Sequence, residues 1–132
     1  HPKHHLAVRS AVTAEHLRDE DFVAFDRELP IRKEIDRYLR QRSVSVRVVM
    51  EFDNIETIKQ AVEIGAGISI LPEPTVTMAV ETRRLAAVRL IAPQLYRPVG
   101  IIHRQRKVFS PTALKFIELL QEAKDHAQRE ES

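Results

Sequence analysis

Several residues in this chain are of types that could do chemistry. His1, His4 and His5 form an imidazole cluster that could hold a divalent metal. No carboxylate stands beside them in the sequence, so an exposed polar segment is the simpler reading and no metal ligand is assigned. His16 and His103 each stand alone and read as ordinary polar or half-buried residues. Carboxylates gather at Asp19-Glu20-Asp21 and again at Glu51 and Asp53, and paired carboxylates can exchange protons with a substrate. Solvation accounts for the first group and helix capping for Asp53. Neither a G-x-S-x-G turn nor an H-E-x-x-H helix occurs. The expectation is a protein with no catalytic residue and no cofactor, not an enzyme.

Gly65-Ala66-Gly67 is the one glycine-rich point, and it follows a helix and precedes a strand. A phosphate-cradling loop has the reverse order, so these are turn glycines. Two helix starts are better candidates for binding: Leu29-Pro30-Ile31-Arg32 and Asp53-Asn54-Ile55 each follow a strand and present unpaired backbone N–H groups. Such groups favour anions. Asp53 reads as an N-cap with Glu56 three positions on, whereas nothing in Leu29-Pro30-Ile31 can cap the first helix.

The elements that must position these starts follow from hydrophobic periodicity. Thr13 to Leu17 reads as a capped helical turn and Phe22 to Phe25 as a short buried strand. Ile31, Ile35, Tyr38 and Leu39 lie on one face of a helix opened by Pro30 and ending near Arg42. Val44, Val46, Val48, Met50 and Phe52 alternate with polar residues, which predicts a strand with one buried face. Ile55, Ile58, Ala61 and Val62 predict a helix that Gly65 ends. Further strands are expected at Ile68 to Leu71, Leu85 to Leu90 and Val99 to His103. A short helix should pass through Met78 and Val80, and a last one should start at Ser110-Pro111 with Ala113, Phe116, Ile117 and Leu120 along one face. Strands alternating with helices make this an α/β protein with a mostly parallel sheet, the architecture that binds small molecules beyond the carboxyl ends of its strands.

Composition narrows the function classes. A chain of 132 residues without cysteine can bury a core but cannot form a disulfide, a thiol nucleophile or a thiolate metal site. Basic residues exceed acidic ones by only 21 to 19 and are scattered, so direct nucleic-acid binding is disfavoured. No apolar run approaches the roughly twenty residues that span a bilayer, and no signal-peptide pattern opens the chain, so the expected location is cytoplasmic with no membrane partner. The start at His1-Pro2, without methionine, suggests a piece of a longer protein.

The stretch from Glu51 to Pro72, with Gly65-Ala66-Gly67-Ile68-Ser69-Ile70-Leu71-Pro72 after a capped helix, resembles the LysR-type transcriptional regulators in the second lobe of their effector-binding domain. His1-Pro2 followed by Leu6 resembles that family's crossover between lobes, Leu17 to Phe25 its next segment, and Arg97 to Phe116 its closing strand, basic turn and helix. The resemblance covers almost the whole chain. It implies a periplasmic-binding-protein-like (type 2) effector domain. Residues 1–90 would form the second lobe, and residues 91–132 the crossover, returning strand and C-terminal helix of an incomplete first lobe.

Carried onto this chain, the resemblance assigns effector binding to Leu29, Pro30, Ile31, Arg32, Asp53, Asn54 and Ile55, the helix starts already reached from backbone chemistry. Arg32 would pair with an effector carboxylate. Expected partners are a small, anionic or strongly polar effector, a second copy of the chain (homodimer or higher), and DNA only through an N-terminal domain absent here. The alternative is a stand-alone solute-binding protein of the same fold.

Overall fold

The computed structural model describes residues 1–91 and 101–130, with side chains followed as far as residue 122. The chain divides into two compact units, His1–Tyr96 and Arg97–Ser132.

The first unit is built on parallel pairs. A central strand β2 (Asp21–Phe25) pairs in parallel with β3 (Arg47–Phe52), and Phe22 also bridges to Ile68 on its other side. Because β2 has neighbours on both edges, its apolar residues are shielded, and Phe22, Val23, Ala24 and Phe25 are all buried. A second parallel pair joins β1 (Ala11–Val12) to β4 (Arg89–Leu90). Helix α1 (Pro30–Gln41) follows β2 and buries Ile35, Tyr38 and Leu39. Helix α2 (Ile55–Glu63) follows β3 and buries Ile58, Ala61 and Val62. The spacing of three and four residues seen in the sequence is thus the inward face of each helix. A short helix α3 (Thr77–Glu81) carries buried Ala79. At the Thr13 turn, His16 Nδ1 accepts the Thr13 N–H at 3.2 Å, which gives that isolated imidazole an ordinary capping role.

Two glycines are required, one by its backbone angle and one by a close approach. Gly65 has φ +84° and ends α2 in the left-handed region. At Gly67 a Cβ would stand 2.4 Å from the Asp21 carbonyl oxygen, so only glycine lets this segment run beside β2, where the Ile68 N–H donates to that same oxygen at 2.8 Å.

Several expectations are corrected. β3 has no buried face: Val48, Val49 and Met50 are 37%, 41% and 39% exposed. The register passes from Phe22 opposite Val48 to Val23 opposite Met50, so Val49 is an extra residue that breaks the alternation. Val44, counted as part of that strand, is buried before it begins. Ile68 to Leu71 makes one bridge to β2 rather than a strand, and the strand expected over Leu85 to Leu90 shrinks to Arg89–Leu90.

The second unit contains α4 (Pro111–Glu130), with Pro111 in its first turn and the Ala113 N–H bonded to Ser110 Oγ at 3.2 Å. That start agrees with the sequence. The returning strand does not: residues 101–103 carry no strand, and Val99 and Gly100 lie outside the described residues.

Candidate functional site

β2 and β3 are parallel and in register at Phe25 and Phe52, so both chains leave the sheet at the same edge. Their ends are tied together, with the Asp26 N–H donating to the Phe52 carbonyl at 2.8 Å. After β2, Asp26 Oδ1 accepts the Glu28 N–H at 2.9 Å, a tight turn that delivers Leu29 and Pro30 to the start of α1. After β3, Asp53 and Asn54 lead directly into α2. Leu29, Pro30, Ile31 and Arg32 are therefore brought to the same sheet edge as Asp53, Asn54 and Ile55.

The two helix starts differ in what they leave unsatisfied. Asn54, not Asp53, is the N-cap of α2: its Oδ1 accepts the Thr57 N–H and the Thr57 hydroxyl, each at 2.9 Å. The capping box expected between Asp53 and Glu56 is not made, because Glu56 is turned to Lys59 Nζ at 3.0 Å. Asn54 Nδ2 donates to Asp53 Oδ1, so both side chains have intramolecular partners. At α1 no side chain caps the helix; Leu29 is the N-cap residue and Pro30 occupies the first turn. The positive end of the α1 dipole is left for water or a ligand. Leu29, Ile31 and Ile55 are partly buried against the core and give this edge an apolar floor.

Arg32 is placed differently from the expectation. It is 6% exposed, and its Nη1 donates to the Phe25 carbonyl at 2.6 Å and to Glu51 at 3.2 Å, while Nε reaches Asp36 at 2.9 Å. Burial alone would lower its pKa, but Asp36 and Glu51 outweigh that and raise it. Arg27 and then Arg32 hold the Glu51 carboxyl below the usual carboxylate range. The guanidinium therefore joins β2, β3 and α1 beneath the helix start.

Sequence reasoning missed two buried hydroxyls, Tyr38 Oη and Ser69 Oγ, which have no hydrogen-bond partner among the described residues. Tyr38 was counted as a core residue of α1, and Ser69 is masked by the apolar residues on either side of it. It also missed the contact of His4 and His5 with Glu20, which no local spacing announces.

A parallel α/β unit with an uncapped helix start and apolar side chains at the carboxyl ends of its strands has the architecture in which small molecules bind at those ends. The sequence pattern of the LysR substrate binding domain matches residues 1–125, and the chain belongs to that family. It is similar to the RuBisCO operon transcriptional regulator of Allochromatium vinosum, 32% identical over 119 residues covering 90% of this chain and 39% of that protein. It is also similar to the transcriptional dual regulator GltC of Bacillus subtilis (strain 168), 30% identical over 118 residues, 89% of this chain and 39% of GltC. The chain thus spans about 39% of the length of these curated relatives. Among solved structures, the regulatory domain of Synechocystis PCC6803 CcmR in complex with 2-PG superposes with a TM-score of 0.70 at 24% identity, over 92% of this chain and 59% of that one. The likeness to CcmR bears out the expected fold, and membership of the family makes this chain effector-binding regulatory domain sequence.

Proposed function

We propose that this chain senses a small anionic or strongly polar effector through Leu29, Pro30, Ile31, Asp53, Asn54 and Ile55, with no chemical turnover. The observation that carries the reading is the uncapped start of α1 on the sheet edge that also holds the start of α2. The Ile31 N–H and the helix dipole there attract negative charge, Pro30 having no N–H and the Arg32 and Lys33 N–H groups donating to the Leu29 carbonyl. Arg32 belongs to the site as a positioning residue: its partners fix the α1 start, and its charge is met by Asp36 and Glu51. The CcmR regulatory domain, of the same fold, is in complex with 2-PG, which makes 2-PG the first compound to test.

Residues 1–90 act as the second lobe of the effector domain and residues 91–132 as the crossover and returning part of the first. DNA is contacted only by a separate N-terminal domain of a longer cytoplasmic regulator, in keeping with relatives more than twice this length. No helix among the described residues is long and apolar enough to cross a membrane. The chain also self-associates, a reading supported by Phe116 at 61% exposure, Ile102 at 97%, and the uncovered edge of β3.

The test is a thermal-shift titration of the full-length regulator with 2-PG and a panel of small carboxylates and phosphates. A bound effector at a hundred times its Kd adds about 2.7 kcal/mol and raises Tm. A panel that leaves Tm unchanged up to millimolar concentrations overturns the anionic reading, and turnover of any member overturns the sensor reading.

A further inference from the structure

The objection to a metal at the N-terminal histidines was the lack of a carboxylate beside them, and folding removes it. Glu20, sixteen residues after His4, is carried back to the cluster by the turn that precedes β2. One carboxylate oxygen lies 3.4 Å from His4 Nε2 and the other 3.0 Å from His5 Nε2. One ligand atom from each of the three residues can be chosen so that all lie within 4.8 Å of one another. We propose that His4, His5 and Glu20 bind a borderline divalent transition cation of the Zn²⁺ class, independently of the effector site.

The two His–Glu20 distances match those of neighbouring ligands on one ion, and the whole set is bounded by the wider 4.8 Å. A tetrahedral centre with bonds of about 2.0–2.2 Å spaces its ligand atoms roughly 3.3–3.6 Å apart, and a right-angled pair stands roughly 3.0 Å apart. Neutral imidazole nitrogens with one carboxylate are a donor set that such cations accept, leaving further positions for water.

The backbone already holds the ligands in place. His4 N–H donates to the His1 carbonyl and the His4 carbonyl accepts from Ala7 N–H, both at 2.9 Å. Glu20 is fixed on both sides, its N–H on the Leu17 carbonyl at 3.2 Å and its carbonyl receiving the Arg47 N–H at 2.8 Å. His4 is half-buried and His5 exposed, so the site is anchored on one side and open on the other. Binding has two local costs: the imidazole contacts to Glu20 give way to the ion, and one backbone bond is released. His4 Nδ1 accepts the Leu6 N–H at 3.3 Å, and a metal on Nε2 moves the ring proton to Nδ1 and releases that bond. A long hydrogen bond is exchanged for a coordinate one, and the Leu6 amide becomes a reporter of occupancy.

The experiment is a calorimetric Zn²⁺ titration of the 132-residue chain carrying His1→Ala, which removes chelation by the first imidazole, with the Leu6 amide followed by NMR. One saturable equivalent is expected, with a shift of the Leu6 signal. His5→Ala and Glu20→Gln should each weaken binding at least tenfold, while His16→Ala leaves it unchanged. Circular dichroism checks that each variant is folded; His5 is exposed, and Glu20→Gln keeps both backbone bonds at that position. No saturable binding below about 1 mM, an unmoved Leu6 amide at saturation, or unchanged affinity in either ligand variant overturns the proposal.

Discussion

Arg32 Nη1 donates a 2.6 Å hydrogen bond to the carbonyl oxygen of Phe25, the last residue of the central strand. That one contact, with the ion pairs to Asp36 and Glu51, changes the meaning of the arginine at the start of α1. It locks the helix to the strand end instead of reaching outward. Arg32→Ala leaves a buried carbonyl without its donor, Asp36 without its cation and Glu51 with Arg27 alone, so a loss of roughly 2–4 kcal/mol is expected by urea unfolding. Arg32→Lys recovers only part of it, because one ammonium cannot span the fork. A ligand-free stability unchanged in Arg32→Ala would return this side chain to direct effector contact.

Gly67 and Gly65 should respond differently to alanine. At Gly67 the new Cβ meets the Asp21 backbone at 2.4 Å, and the backbone cannot yield without breaking the Ile68 bridge. A loss of about 1–3 kcal/mol or more is expected. Gly65 has open space but φ +84°, so Gly65→Ala costs on the order of 1 kcal/mol through strain alone. Chemical denaturation of both variants checks the order; equal losses would contradict it.

The Glu51 carboxyl titrates below the usual range because Arg27, and after it Arg32, donate to its charged form. A folded pKa below the unfolded one means that the linked stability is present above the unfolded value and is lost as pH falls through the folded one. Unfolding curves from neutral pH to about pH 3 should show that loss, and Glu51→Gln should flatten it. Carbonyl NMR should also show the Glu51 midpoint moving upward in Arg27→Ala. An unmoved midpoint would remove Arg27 as the leading cause.

Self-association should appear in sedimentation at about 100 μM, a concentration that populates dimers with Kd of order 10 μM. Two apolar surfaces are available, and charged substitutions separate them: Phe116→Glu on α4 and Val49→Lys on the β3 edge. Loss of dimer in one variant identifies its surface. A monomer in the unsubstituted chain contradicts the reading.

The legible parts of this fold were those fixed by local chemistry. Ile35, Tyr38 and Leu39 announced α1 by spacing, Pro30 and Pro111 marked helix starts, and Gly65 marked a helix end. Elements set by tertiary partners were misread. Val48 and Met50 alternate as a half-buried strand would, but a bulge at Val49 and an uncovered edge leave them exposed. Asp53 and Asn54 are both good caps, and only the backbone geometry chose Asn54. At the candidate site, the two helix starts could be found from sequence because each follows a strand. The fate of Arg32 could not, since Glu51 and the Phe25 carbonyl reach it only through strand pairing. The same holds for Glu20 beside His4 and His5.

The central claim is that the uncapped start of α1 is where the effector's polar or anionic end docks. Amide NMR of the isotopically labelled chain, titrated with 2-PG and with small carboxylates and phosphates, tests it residue by residue. The expected result is a saturable ligand whose largest shifts fall on Ile31 and Ile55, with the Arg32 and Thr57 amides, already bonded to the Leu29 carbonyl and to Asn54, moving less. A ligand that saturates while Ile31 stays still, with its shifts clustered away from this sheet edge, would contradict it.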